Sequence, residues 1–146
     1  MRQDLEERFI AGQFKFMDED FEGCICAFSE VLEADPLCAR VYQARAIARL
    51  RLNDNDAAIK DIDAAIKCDP ENARLYYHKG AILFKAEVLD EALKSLTQAI
   101  DLSPEYAPAY VLRGEVYERL GDKDAAGLDI NNAMVLRKES TGVVDW

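Results

Sequence analysis

Gln98-Ala99-Ile100-Asp101-Leu102-Ser103-Pro104 ends in a Ser-Pro pair with two counterparts upstream, Asp69-Pro70 and Asp35-Pro36, each 34 residues before the next. The chain is periodic before it is anything else. A 34-residue period with Pro near the end of each unit, and Gly or Ala at fixed offsets before it, marks helix-turn-helix units stacked as a solenoid. Such units bury their apolar faces on one another and present a continuous surface, so the period points to a binding module.

Set on that period, the chain divides into repeats 5–38, 39–72, 73–106 and 107–140 with a short tail 141–146, a single domain over 1–146. The columns make chemical sense. One holds Gly12, Ala46, Gly80 and Gly114, a second Cys24, Ala58, Ala92 and Ala126, a third Val31, Ala65, Ala99 and Ala133. All but Val31 are Gly, Ala or Cys, as expected where two helices approach so closely that a larger side chain would force them apart. Between them lie bulky columns: Tyr42, Tyr76 and Tyr110; Phe28, Ile62, Leu96 and Ile130; Leu32, Ile66, Ile100 and Met134. Small columns against large ones predict an interdigitating core.

Each repeat reads as two helices of roughly 12–15 residues joined by a short turn. Asp20, Asp54 and Asp122 are placed to cap the second helix of repeats 1, 2 and 4, and Val88 stands at the equivalent place in repeat 3. Asp4 with Glu7 makes a capping box for the first helix, so order is expected from about residue 4. Charge varies jointly on paired columns: Arg45 with Asp61, Arg113 with Asp129, Lys79 with Ser95, and alanine at both Ala11 and Ala27. The first two pairs are expected to bridge the helices of their repeats as ion pairs.

Tyr76-Tyr77-His78-Lys79-Gly80, Asp90-Glu91-Ala92-Leu93 and residues 98–104 together resemble the tetratricopeptide repeat family over 5–140. Departures are local, with Arg8 where an early aromatic is expected and Lys138 where the fourth Pro would fall. The resemblance implies an all-α, right-handed superhelical solenoid of four units, about eight antiparallel helices. It also implies a non-enzymatic adaptor, scaffold or cochaperone-like module with a protein or peptide as partner.

In that family the first helix of each repeat lines a concave groove. Carried over by column, the peptide-binding positions are Glu6, Phe9, Gln13, Phe16 and Met17; Arg40, Gln43, Ile47, Leu50 and Arg51; Arg74, Tyr77, Ala81, Phe84 and Lys85, with His78 beside them; and Pro108, Val111, Glu115, Glu118 and Arg119. The twenty column positions carry +2 in a chain of formal charge −10. Such a surface suits a segment with apolar anchors and acidic flanks. Arg51, Lys85 and Arg119 also sit where the helix dipole favours a cation whether or not anything binds.

The family's carboxylate clamp for chaperone C-termini is disfavoured, because its Lys, Asn, Asn, Lys and Arg places hold Phe9, Gln13, Ala44, Arg74 and His78 in repeats 1–3, or Gln43, Ile47, His78, Pro108 and Leu112 in repeats 2–4. An acidic chain without clustered Lys and Arg argues against nucleic acid. No apolar run reaches the ~18–20 residues that span a bilayer, and no basic-then-apolar leader opens the chain, so no membrane is expected and a cytoplasmic location is. Cys24, Cys26, Cys38 and Cys68 match neither a CxxC pair nor a zinc set, and His78, the only histidine, has no catalytic motif around it; no metal, cofactor or enzymatic activity is expected.

Repeat 4 is followed by only six residues, so its second helix should leave apolar side chains uncovered, with Gly127 weakening it further. A homodimer through this C-terminal repeat, with Trp146 as cap or anchor, is the alternative to a monomeric adaptor. A secretion-type export chaperone is a third, though that group resembles this chain less closely, having three repeats with helical extensions.

Overall fold

The turn residues and small columns fix where helices stop and where they touch. In the computed structural model, which describes residues 1–141, they yield α1 Gln3–Met17, α2 Phe21–Ala34, α3 Ala39–Arg51, α4 Asn55–Cys68, α5 Ala73–Lys85, α6 Leu89–Leu102, α7 Ala107–Leu120 and α8 Lys123–Thr141. The last residues, 142–146, including the Trp146 expected to cap or dock, lie outside the described residues. No strand occurs among the described residues, and the fold is the all-α one expected. Starts of α3, α5 and α7 recur every 34 residues, as do those of α2, α4, α6 and α8.

Every first helix ends the same way. The backbone N–H of Asp20, Asp54, Val88 and Asp122 reaches back to the carbonyl of Lys15, Arg49, Leu83 and Tyr117 at 2.8–3.0 Å, the six-to-one bond of a Schellman turn. The preceding residue is left-handed in each case: Glu19 (φ 61), Asn53 (φ 62), Glu87 (φ 62) and Gly121 (φ 85). The capping carboxylates expected next are in place. Asp20 accepts from the Gly23 N–H at 3.0 Å, Asp54 from Ala57 at 3.3 Å and Asp122 from Ala125 at 3.1 Å, while Val88 offers α6 no side-chain cap. The capping box at Asp4 and Glu7 is not formed. Helix α1 begins at Gln3, its N-cap is Arg2 without a side-chain bond, and Asp4 pairs with Arg2 at 3.5 Å inside the first turn.

The chain forms two compact units, Met1–Pro70 and the remainder from Glu71. In the first, α1 packs on α2, α2 on α3 and α3 on α4. Leu5, Phe9, Cys24, Phe28, Val31, Leu32, Val41 and Ala48 make its core, with the Phe9 and Phe28 rings 5.3 Å apart. Gly12 is there because of Phe28: a Cβ on it would stand 2.5 Å from that ring. Truncating such a buried Phe to Ala costs roughly 3–5 kcal/mol.

In the second unit α5 packs on α6, α6 on α7 and α7 on α8. Gly80 repeats the close approach, 2.7 Å from Leu96 to a notional Cβ. Ala99, Ile100 and Ala109 are buried beneath Tyr76, Tyr77, Tyr106 and Tyr110, and the Tyr110 hydroxyl donates to the Pro104 carbonyl at 3.0 Å, tying a bulky column to its Pro turn. The small columns are buried throughout; of the bulky ones, Ile130 and Met134 are 43% and 54% exposed. They depart from the expected core because no described helix packs on that side of α8.

Both expected ion pairs are present and bidentate. Arg45 donates from Nε and Nη2 to Asp61 at 2.8 and 2.7 Å, and Arg113 to Asp129 at the same distances. Both carboxylates are buried. Each arginine also ties in the helix before its own, through Nη1 to Ser29 at 3.0 Å and to Thr97 at 3.3 Å.

Candidate functional site

On α1, Ile10, Phe14 and Met17 follow one another at helical spacing and are 41%, 62% and 74% exposed. They form one edge of a recess of about 500 Å³, completed by Gln13 and Phe16 of α1, Phe28 of α2, and Ala44 and Ile47 of α3. The volume falls within the range of small-ligand and side-chain pockets, and nearly all of the lining is hydrocarbon. Four expected groove residues, Gln13, Phe16, Met17 and Ile47, are thereby brought together.

Arg51 supplies charge at this end. Its guanidinium lies 5.5 Å from the Phe16 ring and 5.8 Å from Phe21, rings that meet edge to face at 5.3 Å. It makes no ion pair among the described residues, so its positive field is not cancelled locally. Arg40 differs, pairing with Glu6 at 2.7 Å and covering the Phe9 ring at 4.5 Å. Phe9 itself is only 3% exposed. Its assignment to the ligand surface is corrected: Gly12 leaves room for Phe28, and Phe9 turns inward onto that ring. Gln43 and Leu50 are half-buried on α3.

In the second unit, Tyr77 and Val111 line a recess of about 660 Å³ with Pro108, Leu112, Glu105, Glu115 and Arg137 among its walls. Tyr77 stands edge-on to His78 at 5.4 Å and to Tyr106 at 5.5 Å. Phe84 and Arg119 border a shallower one with Glu115 and Glu118; the Arg119 guanidinium is 5.2 Å from the Phe84 ring and donates to both Glu87 oxygens at 2.6 and 2.8 Å. Arg74 and Lys85 are exposed. These walls are more acidic than the expected groove charge, since carboxylates border both recesses and Glu87 neutralises Arg119.

Burial, and then the Arg74 charge, hold His78 below its ordinary 6.5, so it stays neutral at pH 7. Burial pushes the Cys24 thiol up to about 11, which makes it an inert core group. Among the described residues no cluster of His, Cys, Asp or Glu could hold a metal ion, and no helix is long and apolar enough to cross a membrane.

Two features of the first recess escape column-by-column reasoning. Ile10 and Phe14 fall outside the groove columns, yet both are exposed at its edge. Their signal was the spacing of Ile10, Phe14 and Met17 along one side of α1, opposite Leu5, Phe9 and Gly12.

A tetratricopeptide repeat model matches residues 20–73 and 43–93, and a second TPR repeat model matches 82–121. No curated protein is significantly similar in sequence. Among solved structures, a crystal structure of MamA superposes with a TM-score of 0.87 at 21% identity, covering 94% of this chain and 81% of that one. The first TPR of Spaghetti (RPAP3), bound to HSP90 peptide SRMEEVD, gives 0.77 at 23% identity over 82% and 94%. The second TPR of the same protein, bound to the same peptide, gives 0.64 at 28% identity over 67% and 91%.

Proposed function

The chain belongs to the tetratricopeptide repeat family, and on that premise we propose that it is a non-enzymatic protein-interaction module whose first unit holds an apolar-anchored, acid-flanked peptide or amphipathic helix. The observation that carries this reading is the recess between α1 and α3, where Gln13, Phe16, Met17 and Ile47 line one apolar space and Arg51 stands on the rings beside it. An amphipathic helix presents anchors at i, i+3 or i+4, and i+7, the spacing of Ile10, Phe14 and Met17 themselves. Arg51 selects for a carboxylate next to the anchor and steers it inward.

A carboxylate-terminated peptide of the SRMEEVD kind is not the ligand proposed. Of the clamp places in repeats 1–3, Arg74 alone is a permanent cation, His78 is held neutral and Phe9 is core. Selectivity rests instead on the apolar recess.

Selection from a random-peptide display library by the purified protein tests this. Wild type is expected to enrich peptides with two or three large apolar residues beside Asp or Glu. The double variant Met17→Ala, Ile47→Glu should lose at least tenfold in affinity for them, and Arg51→Glu should reverse the preference for acidic flanks. Equal binding by the double variant, or no enrichment by wild type, would sink the proposal.

A further inference from the structure

We propose that this chain associates head to tail with copies of itself, the α8 face bearing Ile130 and Met134 of one copy seating on the α1 face bearing Ile10 and Phe14 of the next. The α1 half of this surface shares Ile10 and Phe14 with the edge of the recess between α1 and α3, so a seated copy competes with a peptide there, but the inference rests on the repeat register and not on peptide binding.

The repeat register supplies the argument. Within the first unit α3 packs on α2, and within the second α7 packs on α6. On the second-helix side, Phe28 and Leu32 of α2 share one buried core with Val41 and Ala48 of α3, and Ile100 of α6, one turn after the buried Leu96, shares one with Ala109 of α7. The same positions on α8 are Ile130 and Met134, 43% and 54% exposed. The first-helix half includes Ala48 on α3 and Val116 on α7, both fully buried; the same position on α1 is Phe14, 62% exposed. One chain therefore exposes both complementary halves of an interface that it completes twice internally. Because the halves differ, the contact is heterologous and propagates unless a ring closes.

Charge fits the same junction. Helix α2 runs into α3, and α6 into α7, through four residues, so the end of a second helix lies beside the start of the next first helix. In the proposed junction the end of α8 would meet the start of α1. There the repeat pattern breaks with opposite signs: Arg137 stands where Asp35, Asp69 and Ser103 occur, and Glu7 where Val41, Leu75 and Ala109 occur. Both helices are also longer at these ends. Helix α8 continues to Thr141, five residues past the equivalent of Leu102, and α1 starts at Gln3, two before the equivalent of Ala107. No loop has to join them, so the extra turns can overlap and bring Arg137 and Lys138 towards Asp4 and Glu7.

Sedimentation velocity of the full chain over a wide concentration range tests the proposal, with circular dichroism confirming that each variant folds. Wild type is expected to grow with concentration. Phe14→Glu alone and Met134→Glu alone should each weaken self-association at least tenfold. Mixed together, each variant retains one intact face, and the mixture should form a dimer and nothing larger. A wild type that is monomeric throughout, a Phe14→Glu variant that still self-associates, or a mixture that stays monomeric would each overturn it.

Discussion

Arg113 grips both carboxylate oxygens of Asp129, and two repeats earlier Arg45 grips Asp61 in the same geometry, but among the described residues only Asp61 of the two has a second cation, the Arg49 guanidinium at 3.0 Å. At the place of Arg49 the last repeat has Tyr117, whose ring lies 5.9 Å from the Arg113 guanidinium. The two pairs look alike in sequence and differ in redundancy.

Unequal costs follow from that difference. Arg113→Ala leaves a buried carboxylate without a cation and should destabilise by about 3 kcal/mol. Arg45→Ala leaves Asp61 bonded to Arg49 and should cost about half as much. Chemical denaturation of both variants checks the ranking. A cycle of Arg45→Ala with Asp61→Ala should show a coupling above about 1 kcal/mol; additive effects would mean that the observed pairing contributes nothing to stability.

Val88 heads α6 with no side-chain bond, while Asp20, Asp54 and Asp122 cap the equivalent helices. Val88→Asp should therefore stabilise the protein by about 1 kcal/mol. Glu87, Asp90 and Glu91 are near in sequence and oppose a further negative charge, so Val88→Asn separates capping from repulsion. Both variants should raise the denaturation midpoint, with Asn equal to or above Asp at low salt. No rise in either would show that the turn is not limited by its missing cap.

What the sequence made legible was whatever the 34-residue period repeats: helix starts, small columns, aspartate caps and the two ion pairs, each decided by neighbours at fixed separation. Departures lie where one repeat has an unrepeated neighbour. Phe9 occupies the column of Gln43, Tyr77 and Val111, yet it turns inward because only repeat 1 sets Phe28 against a glycine. The left-handed turn is advertised by Gly121 and Asn53, residues that favour that region; Glu19 and Glu87 adopt the same conformation with side chains that do not announce it. Arg49 joins Asp61 from twelve residues away, a pairing the other repeats lack because repeat 1 has Lys15 but Ala27 in place of the carboxylate, and repeats 3 and 4 have Leu83 and Tyr117 in place of the cation. The charge expected along the groove was misjudged because Glu87, outside the groove columns, neutralises Arg119.

His78 sets a pH dependence whose sign can be worked out. Its folded pKa lies below 6.5, first through burial and then through Arg74, so the unfolded chain binds the proton more readily. Stability from this group is complete above the unfolded value and falls as pH drops below it, until the folded imidazole also protonates. His78→Leu places at this column the residue that repeat 4 carries as Leu112 and removes the titration. Between about pH 7.5 and about pH 5.5, wild type should lose more stability than His78→Leu, because carboxylate titration is common to both. Arg74→Gln should retain most of the difference, since burial is the larger cause. Identical pH slopes for wild type and His78→Leu would show that the imidazole is as readily protonated folded as unfolded, and that the packing around Tyr77 and His78 is looser than the 5.4 Å ring contact implies.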